Sequence, residues 1–188
     1  MELRDLLARR RVVRSFDGTA VDPGWLEAIA AESLRAPTAG HAAGVRMHVV
    51  VAERVDDLLR AASDEEWRAT SRRYLGLARA GGAVLVTARV DDYLERYREP
   101  DKAAAGLGDE DAWPVPYWYV DGAMALMALL LLVEEGGWSA SIWGNFRHAD
   151  RVLALVGAPD EVLVATVLVG RADGADRRSE SLARAVAP

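Results

Sequence analysis

The feature that most constrains this fold is one long apolar segment followed by two glycines. Residues 123–133 read AMALMALLLLV, and the wider segment 120–135 is apolar nearly all round. A helix without a polar face must be covered by other elements, and Gly136 and Gly137 predict its end. The apolar run of eleven residues is shorter than the roughly 20 that a membrane-spanning helix needs. We therefore expect a long buried core helix and no membrane association.

The segments around this helix alternate between helical and strand patterns. Apolar side chains recur at helical spacing in some of them, and others are short apolar runs typical of buried strands. Helices are expected over residues 2–10, 23–35 and 147–157, helical material over 55–80, and strands over 45–52, 82–88, 138–144 and 161–170. Because helices and strands are interleaved without regular βαβ order, an α+β fold is favoured over a doubly wound one.

Two regions lack a clear pattern. Residues 91–118 are rich in charges, glycines and prolines, which favours a mobile lid or a disordered insert. Residues 171–188 form a polar tail after the last predicted strand. Both belong to the single domain that we expect over residues 1–188, since a chain of this length needs no second core.

Composition excludes several classes of function. The chain is 51% hydrophobic and 28% charged, which is typical of a soluble globular protein. A net charge of −6 argues against nucleic-acid binding. Without cysteine, and with three histidines that have no metal-binding spacing, disulfides, a thiol nucleophile and a zinc site are not expected. The N-terminus has no apolar signal-peptide core, so a cytoplasmic location is expected.

A cluster of arginines stands out in this acidic chain. The stretch ARRRVVRSF, residues 8–16, holds Arg9, Arg10, Arg11 and Arg14. Guanidinium groups bind phosphates through charge-assisted hydrogen bonds, so the cluster is a candidate anion site. The alternative is a solvated basic end of the first helix, which the helix dipole favours.

Three segments, in this order, resemble the nitroreductase family of FMN-dependent oxidoreductases. They are RRVVRSF (10–16), APTAGHAAGVRMHVVV (36–51) and DGAMALMALLLLVEEGGWSASIWGNF (121–146). The resemblance covers nearly the whole chain except residues 91–118. It implies a nitroreductase-like α+β fold in which helices flank a central, mostly antiparallel sheet around the long buried helix.

The resemblance also implies which residues contact FMN. Arg10 and Arg11 would bind the phosphate and Arg14 the ring or ribityl chain, while main chain near Gly144 would approach flavin N5 and O4. The full set of implied cofactor contacts is Arg10, Arg11, Arg14, Pro37, Thr38, His41, Ile142, Trp143, Gly144, Arg177 and Arg178, with Arg171 as an outlying candidate. The alternatives are a turn hydroxyl at Thr38, a plain strand end at Gly144, a surface histidine at His41 and a solvated basic tail.

The implied activity is hydride transfer. A homodimer would use NAD(P)H or a similar reductant to reduce a small electrophilic acceptor, nitroaromatic or quinone-like, in ping-pong fashion through flavin N5. The chemistry is the cofactor's, so no catalytic side chain is expected. The aromatic residues of the lid are candidate acceptor contacts, although they could instead pack the lid onto the core. They are Tyr93, Tyr97, Trp113, Tyr117 and Trp118.

The sequence departs from the family pattern at several points. Val12 replaces a serine, His41 an asparagine, and residues 43–45 a Gln-Pro-Trp segment. The helix before GAVLVTA carries Arg72, Arg73 and Gly76 without a clear counterpart of the polar residues that some members have there. Two alternative functions therefore remain: a flavin-binding or flavin-sequestering protein without turnover, and a cofactor-free member that has lost the site.

Overall fold

A four-stranded antiparallel sheet organises the chain. A computed structural model describes residues 2–145 and 147–174. The strands are β1 (Val45–Val51), β2 (Gly82–Ala88), β3 (Ser139–Trp143) and β4 (Val162–Gly170), in the spatial order β1-β2-β4-β3. The helices are α1 (Leu3–Arg9), α2 (Pro23–Ser33), α3 (Val55–Ala61), α4 (Glu65–Thr70), α5 (Tyr74–Leu77), α6 (Val90–Arg98), α7 (Tyr117–Glu135) and α8 (Ala149–Leu155).

All neighbouring strands of the sheet are antiparallel, and the two strands with continuous apolar sequences, β2 and β4, lie at its centre. Val45 pairs with Ala88 and Gly82 pairs with Val169, so β2 lies between β1 and β4. All seven residues of β2 are buried, because helices cover both faces of the sheet. The α+β class and the antiparallel sheet flanked by helices are confirmed.

The core helix α7 packs one face on the sheet. Ala125, Leu129 and Val133 lie in a core cluster with residues of α2, β2 and β4. The outer face leaves Val120 and Met124 exposed. Burial on all sides, as expected from the sequence, is therefore wrong for the single chain. The helix is long and apolar enough to cross a membrane, but here it packs as a core helix.

The region 91–118 contains more regular structure than its composition predicted. Its first part belongs to α6, which buries Tyr93 and Leu94. Asp91 and Asp92 in the first turn and Arg96 and Arg98 in the last turn complement the helix dipole. Short 3₁₀ turns follow at Ala103–Ala105 and Glu110–Ala112. The expectation of a segment without periodic structure is therefore wrong for α6, and also for Tyr117 and Trp118, which begin α7.

The N-terminal segment after α1 runs along the sheet edge and brings the arginine cluster to β3. Val12 forms a parallel bridge with Ala140, and Phe16 forms an antiparallel bridge with Ala172. Phe16 is completely buried, which anchors this segment in the core. Residues 10–14, the arginine segment, therefore lie beside β3.

Candidate functional site

A cavity of about 520 Å³ opens between β3, α4 and the arginine segment, within the range of small-molecule sites. We call it the Arg14 cavity. Its lining residues are Arg14, Ala62, Ser63, Asp64, Trp67, Arg73, Leu77, Ser141, Ile142, Trp143, Gly144, Arg147 and His148. Four of the residues implied by the resemblance thus meet at one cavity: Arg14, Ile142, Trp143 and Gly144.

Backbone contacts fix Arg14 at this cavity. Val13 N donates to Ala140 O at 2.8 Å, and Phe16 N donates to Gly76 O at 3.1 Å. A Cβ atom at position 76 would lie 2.8 Å from the carbonyl oxygen of Arg14. Gly76 therefore allows α5 to lie directly against the arginine segment, which explains a glycine to which the sequence pattern assigns no role.

The preceding arginines divide between two roles. Arg9 Nε lies 3.6 Å from Glu134 Oε1, as a basic residue at the end of α1 would. Arg10 and Arg11 are partly buried. Arg10 Nε is a buried donor without a hydrogen-bond partner among the residues that the structure describes. Buried donors rarely stay unpaired, so this nitrogen suits a bound acceptor such as a phosphate oxygen.

The cavity wall carries an excess of positive charge. Arg14, Arg73 and Arg147 line it, and the facing carboxylate is Asp64. His148 Nε2 donates to Asp64 Oδ1 at 2.7 Å, and Arg147 Nη1 donates to Asp64 Oδ2 at 3.3 Å. The hydrogen bond from His148, followed by the charges of His148 and Arg147, lowers the pKa of Asp64. This electrostatic setting favours an anionic ligand.

The end of β3 forms the aromatic wall. The rings of Trp143 and Trp67 meet edge to face, with centroids 5.1 Å apart. Gly144 follows without a side chain that would obstruct a flat ligand. Next to it, Asn145 Oδ1 accepts from Thr166 Oγ1 at 2.7 Å. Asn145 Nδ2 is a second buried donor without a partner among the described residues.

The loop with Pro37, Thr38 and His41 lies elsewhere. It packs against α6, and Pro37, Thr38 and His41 are not among the residues that line the Arg14 cavity. Thr38 Oγ1 accepts from Ala43 N at 3.2 Å, as a turn hydroxyl does, and its O–H can still donate. His41 is exposed and has a φ of +58°. Within a single chain, the residues implied to contact the flavin therefore lie in two places: at the Arg14 cavity and in the loop with Thr38 and His41.

The lid aromatics form their own cluster. Tyr93, Trp113 and Trp118 are buried together, and the Tyr97 ring lies 4.8 Å from that of Trp113. Trp113 Nε1 donates to Leu107 O at 2.9 Å. Burial and the Asp121 carboxylate raise the pKa of Tyr93, whose hydroxyl therefore stays protonated. Tyr117 is the most exposed of the five. These contacts match the packing alternative for the buried members.

The basic residues that follow β4 do not join this cavity within the described part of the chain. The Arg171 guanidinium stacks over Trp138 at 5.5 Å and does not line the Arg14 cavity. Arg177 and Arg178 lie outside the described residues. Their implied contact with the phosphate therefore stays a prediction.

Sequence reasoning missed several residues of the site. Asp64, Trp67, Arg147 and His148 line the cavity, and Asp121 binds the loop. Arg73 stands out in the sequence only as a departure from the family pattern. The sequence signal that could have identified Arg73 is its place beside a second arginine, Arg72, ahead of a buried strand.

The residues present fit FMN. The cavity combines cations for a phosphate or an electron-rich ring edge with an aromatic wall and a glycine. The two buried donors, Arg10 Nε and Asn145 Nδ2, lie on the segments that flank the cavity. Val12 supplies no hydroxyl, but its segment keeps its place through the bridge to Ala140.

Comparisons with known proteins identify the family. A sequence model of the nitroreductase family matches residues 7–171. A search of curated proteins found no match. A solved nitroreductase family protein from Streptococcus pneumoniae is 16% identical with a TM-score of 0.70, and the alignment covers 100% of this chain and 99% of that one.

Two further structures carry functional descriptions. A nitroreductase with bound FMN from Bacteroides fragilis is 18% identical, with a TM-score of 0.68 and coverage of 96% of this chain and 93% of that one. CLA-ER, an enone reductase of gut-bacterial fatty acid biohydrogenation, is 19% identical, with a TM-score of 0.71 and coverage of 97% and 96%. At these identities the structures show the shared fold, while the sequence match over most of the chain shows the family. The chain belongs to the nitroreductase family.

Proposed function

We propose that this protein is an FMN-dependent oxidoreductase whose flavin binds in the Arg14 cavity. The observation that carries the proposal is the convergence of Arg14 and the end of β3, residues 142–144, on one cationic cavity. Family membership and the FMN bound in the related Bacteroides fragilis protein support it.

Each part of the cavity has a role in holding the cofactor. Arg10 and Arg11 would bind the phosphate, with the unpaired Arg10 Nε as one donor. Arg14 and Arg73 would place positive charge beside the ring, which favours negative charge on the reduced cofactor. The main chain at Trp143 and Gly144 would approach the ring, and Trp67 would support Trp143 from behind.

Bound FMN would supply ping-pong hydride transfer through N5, from NAD(P)H or a similar reductant to a small electrophilic acceptor. A nitroaromatic or a quinone is the proposed acceptor class. The similarity to the enone reductase CLA-ER adds an enone to the acceptors to be tested. The protein would work in the cytoplasm.

The active unit would be a homodimer. In one chain Thr38 and His41 are not among the residues that line the Arg14 cavity. A second copy can bring its own loop to that cavity. The exposed apolar face of α7, with Val120 and Met124, is the surface that such a copy would cover.

The first experiment is the absorption spectrum of the purified protein between about 300 and 550 nm, with the heat-released cofactor identified. We expect an FMN band that NADH or NADPH bleaches without oxygen, and a rise in melting temperature on adding FMN to the apoprotein. A band that neither reductant bleaches would favour the flavin-sequestering alternative. No band and no thermal response to FMN would contradict the proposal and favour a cofactor-free protein.

A further inference from the structure

The loop at residues 38–43 has a strained backbone. Gly40, His41 and Ala43 have φ values of +60°, +58° and +50°. Left-handed conformations cost free energy for residues other than glycine, and such strain persists only where surrounding contacts impose it. His41 and Ala43 therefore require contacts that hold the loop in this shape.

A buried carboxylate supplies the first contact. Ala39 N donates to Asp121 Oδ2 at 2.7 Å, and Tyr93 OH donates to the same oxygen at 3.0 Å. Asp121 lies on α7 and is only 1% exposed. Its hydrogen bond to Ala39 joins two residues that are 82 positions apart.

The neighbouring helix α6 supplies the second contact. Arg96 Nε donates to Gly40 O at 2.8 Å, and its two Nη atoms each bind one oxygen of Asp101 at 2.8 Å. The Tyr97 ring lies against Gly40, where an added Cβ atom would be 2.8 Å from the ring. The peptide groups of Ala39 and Gly40 are thus held by side chains of two helices.

The choice of a carboxylate at position 121 is costly. A buried charge requires strong compensation, and Asp121 has no salt bridge within the part of the chain that the structure describes. A charged acceptor binds a backbone N–H more strongly than a neutral one does. The strong hydrogen bond from Ala39 N therefore offsets the cost of burying the carboxylate and fixes the first peptide of the strained loop.

We propose that Asp121 is a positioning residue that fixes the 38–43 loop in its left-handed shape, so that Thr38 and His41 are presented to the flavin of a second copy. The flavin part rests on the proposed function above. Val120 is adjacent to Asp121 in sequence, Met124 lies about one turn further along α7, and both are exposed. The same stretch of helix thus carries Asp121, which binds the loop, and the proposed dimer face.

The test compares Asp121→Asn and Asp121→Ala with Tyr93→Phe and Val133→Ala. Val133→Ala removes buried volume on α7 away from the loop and controls for a general loss of stability. FMN affinity is measured by flavin fluorescence at a protein concentration that keeps all variants in one oligomeric state. We expect at least a tenfold weaker affinity for Asp121→Ala, a smaller loss for Asp121→Asn, which keeps one acceptor oxygen, and less than threefold for Val133→Ala.

A second readout does not depend on flavin. Amide hydrogen exchange of residues 39–43 in the apoprotein should accelerate at least tenfold in Asp121→Ala, and by less in Tyr93→Phe, which keeps the bond to Ala39. Unchanged exchange in both Asp121 variants, or wild-type FMN affinity in Asp121→Ala, would overturn the inference. If the wild type binds no FMN, the proposed function fails, and the exchange data alone decide whether Asp121 holds the loop.

Discussion

His148 and Asp64 form a hydrogen bond of 2.7 Å across the rim of the Arg14 cavity, between side chains 84 positions apart. Asp64 precedes α4 and His148 precedes α8, so the bond joins the starts of two helices. The other oxygen of Asp64 accepts from Arg147. One carboxylate therefore organises two basic groups of the proposed flavin site.

This pair predicts a pH dependence of stability. The pKa of Asp64 is lowered in the folded protein, chiefly by the hydrogen bond from His148. Its stabilising contribution is therefore present above the ordinary aspartate pKa of about 4 and is lost as pH falls through the lower folded value. Asp64→Asn should be less stable than wild type above about pH 5, and the difference should narrow toward pH 2.

Urea unfolding at several pH values measures that difference. The other aspartates with lowered pKa values are present in both proteins, so their contributions cancel. Asp160→Asn changes an exposed aspartate and is the control. Its free energy of unfolding should stay near that of wild type. If the difference in unfolding free energy between wild type and Asp64→Asn stayed constant across the pH range, the prediction would be contradicted.

Arg14→Ala tests the cation at the cavity. Hydrogen bonds to charged groups contribute about 1.5–3 kcal/mol, so the Kd for FMN should rise roughly tenfold to a hundredfold. Because Arg14 is exposed in the chain, the apoprotein should melt close to the wild-type temperature. Arg35→Ala, another exposed arginine, should keep wild-type affinity. Equal affinity in both variants would remove Arg14 from the site.

The lid aromatics should separate into structural and acceptor-contacting residues. Trp113 is buried against Tyr93 and Trp118, so Trp113→Ala should lower the free energy of unfolding by about 3–5 kcal/mol. Tyr117 is 42% exposed, and Tyr117→Ala should instead change the KM for the acceptor with little effect on stability. Tyr119→Ala, 43% exposed on the same helix, is the matched control. Unchanged KM values for several acceptors would exclude Tyr117 as an acceptor contact.

The sequence predicted the sheet and the core helix because their apolar runs have no alternative to burial. It missed α6, although Val90, Tyr93, Leu94 and Tyr97 have the spacing of one helix face. The charged residues between them hid that pattern. The structure shows that this face carries the aromatic cluster over which the loop packs.

The site was predicted only where local sequence suffices. The arginine segment and the end of β3 are recognisable as motifs, and the bridge from Val12 to Ala140 brings them together. Asp64 and Asp121 gain their roles from partners more than 80 positions away. Local patterns carry no information about such pairs, so they required the fold.

The exposed face of α7 predicts how the dimer can be broken. A charge at the centre of an apolar interface loses hydration without gaining a partner, so Val120→Asp combined with Met124→Asp should dissociate the protein. Analytical ultracentrifugation should show a dimer for wild type and a monomer for the double variant at micromolar concentration. Leu75→Asp places the same charge on an exposed leucine of α5 and should remain dimeric.

If the Arg14 cavity needs the loop of a second copy, FMN affinity must fall together with dimerisation. A monomeric double variant that still binds FMN as tightly as wild type would show that one chain completes the site.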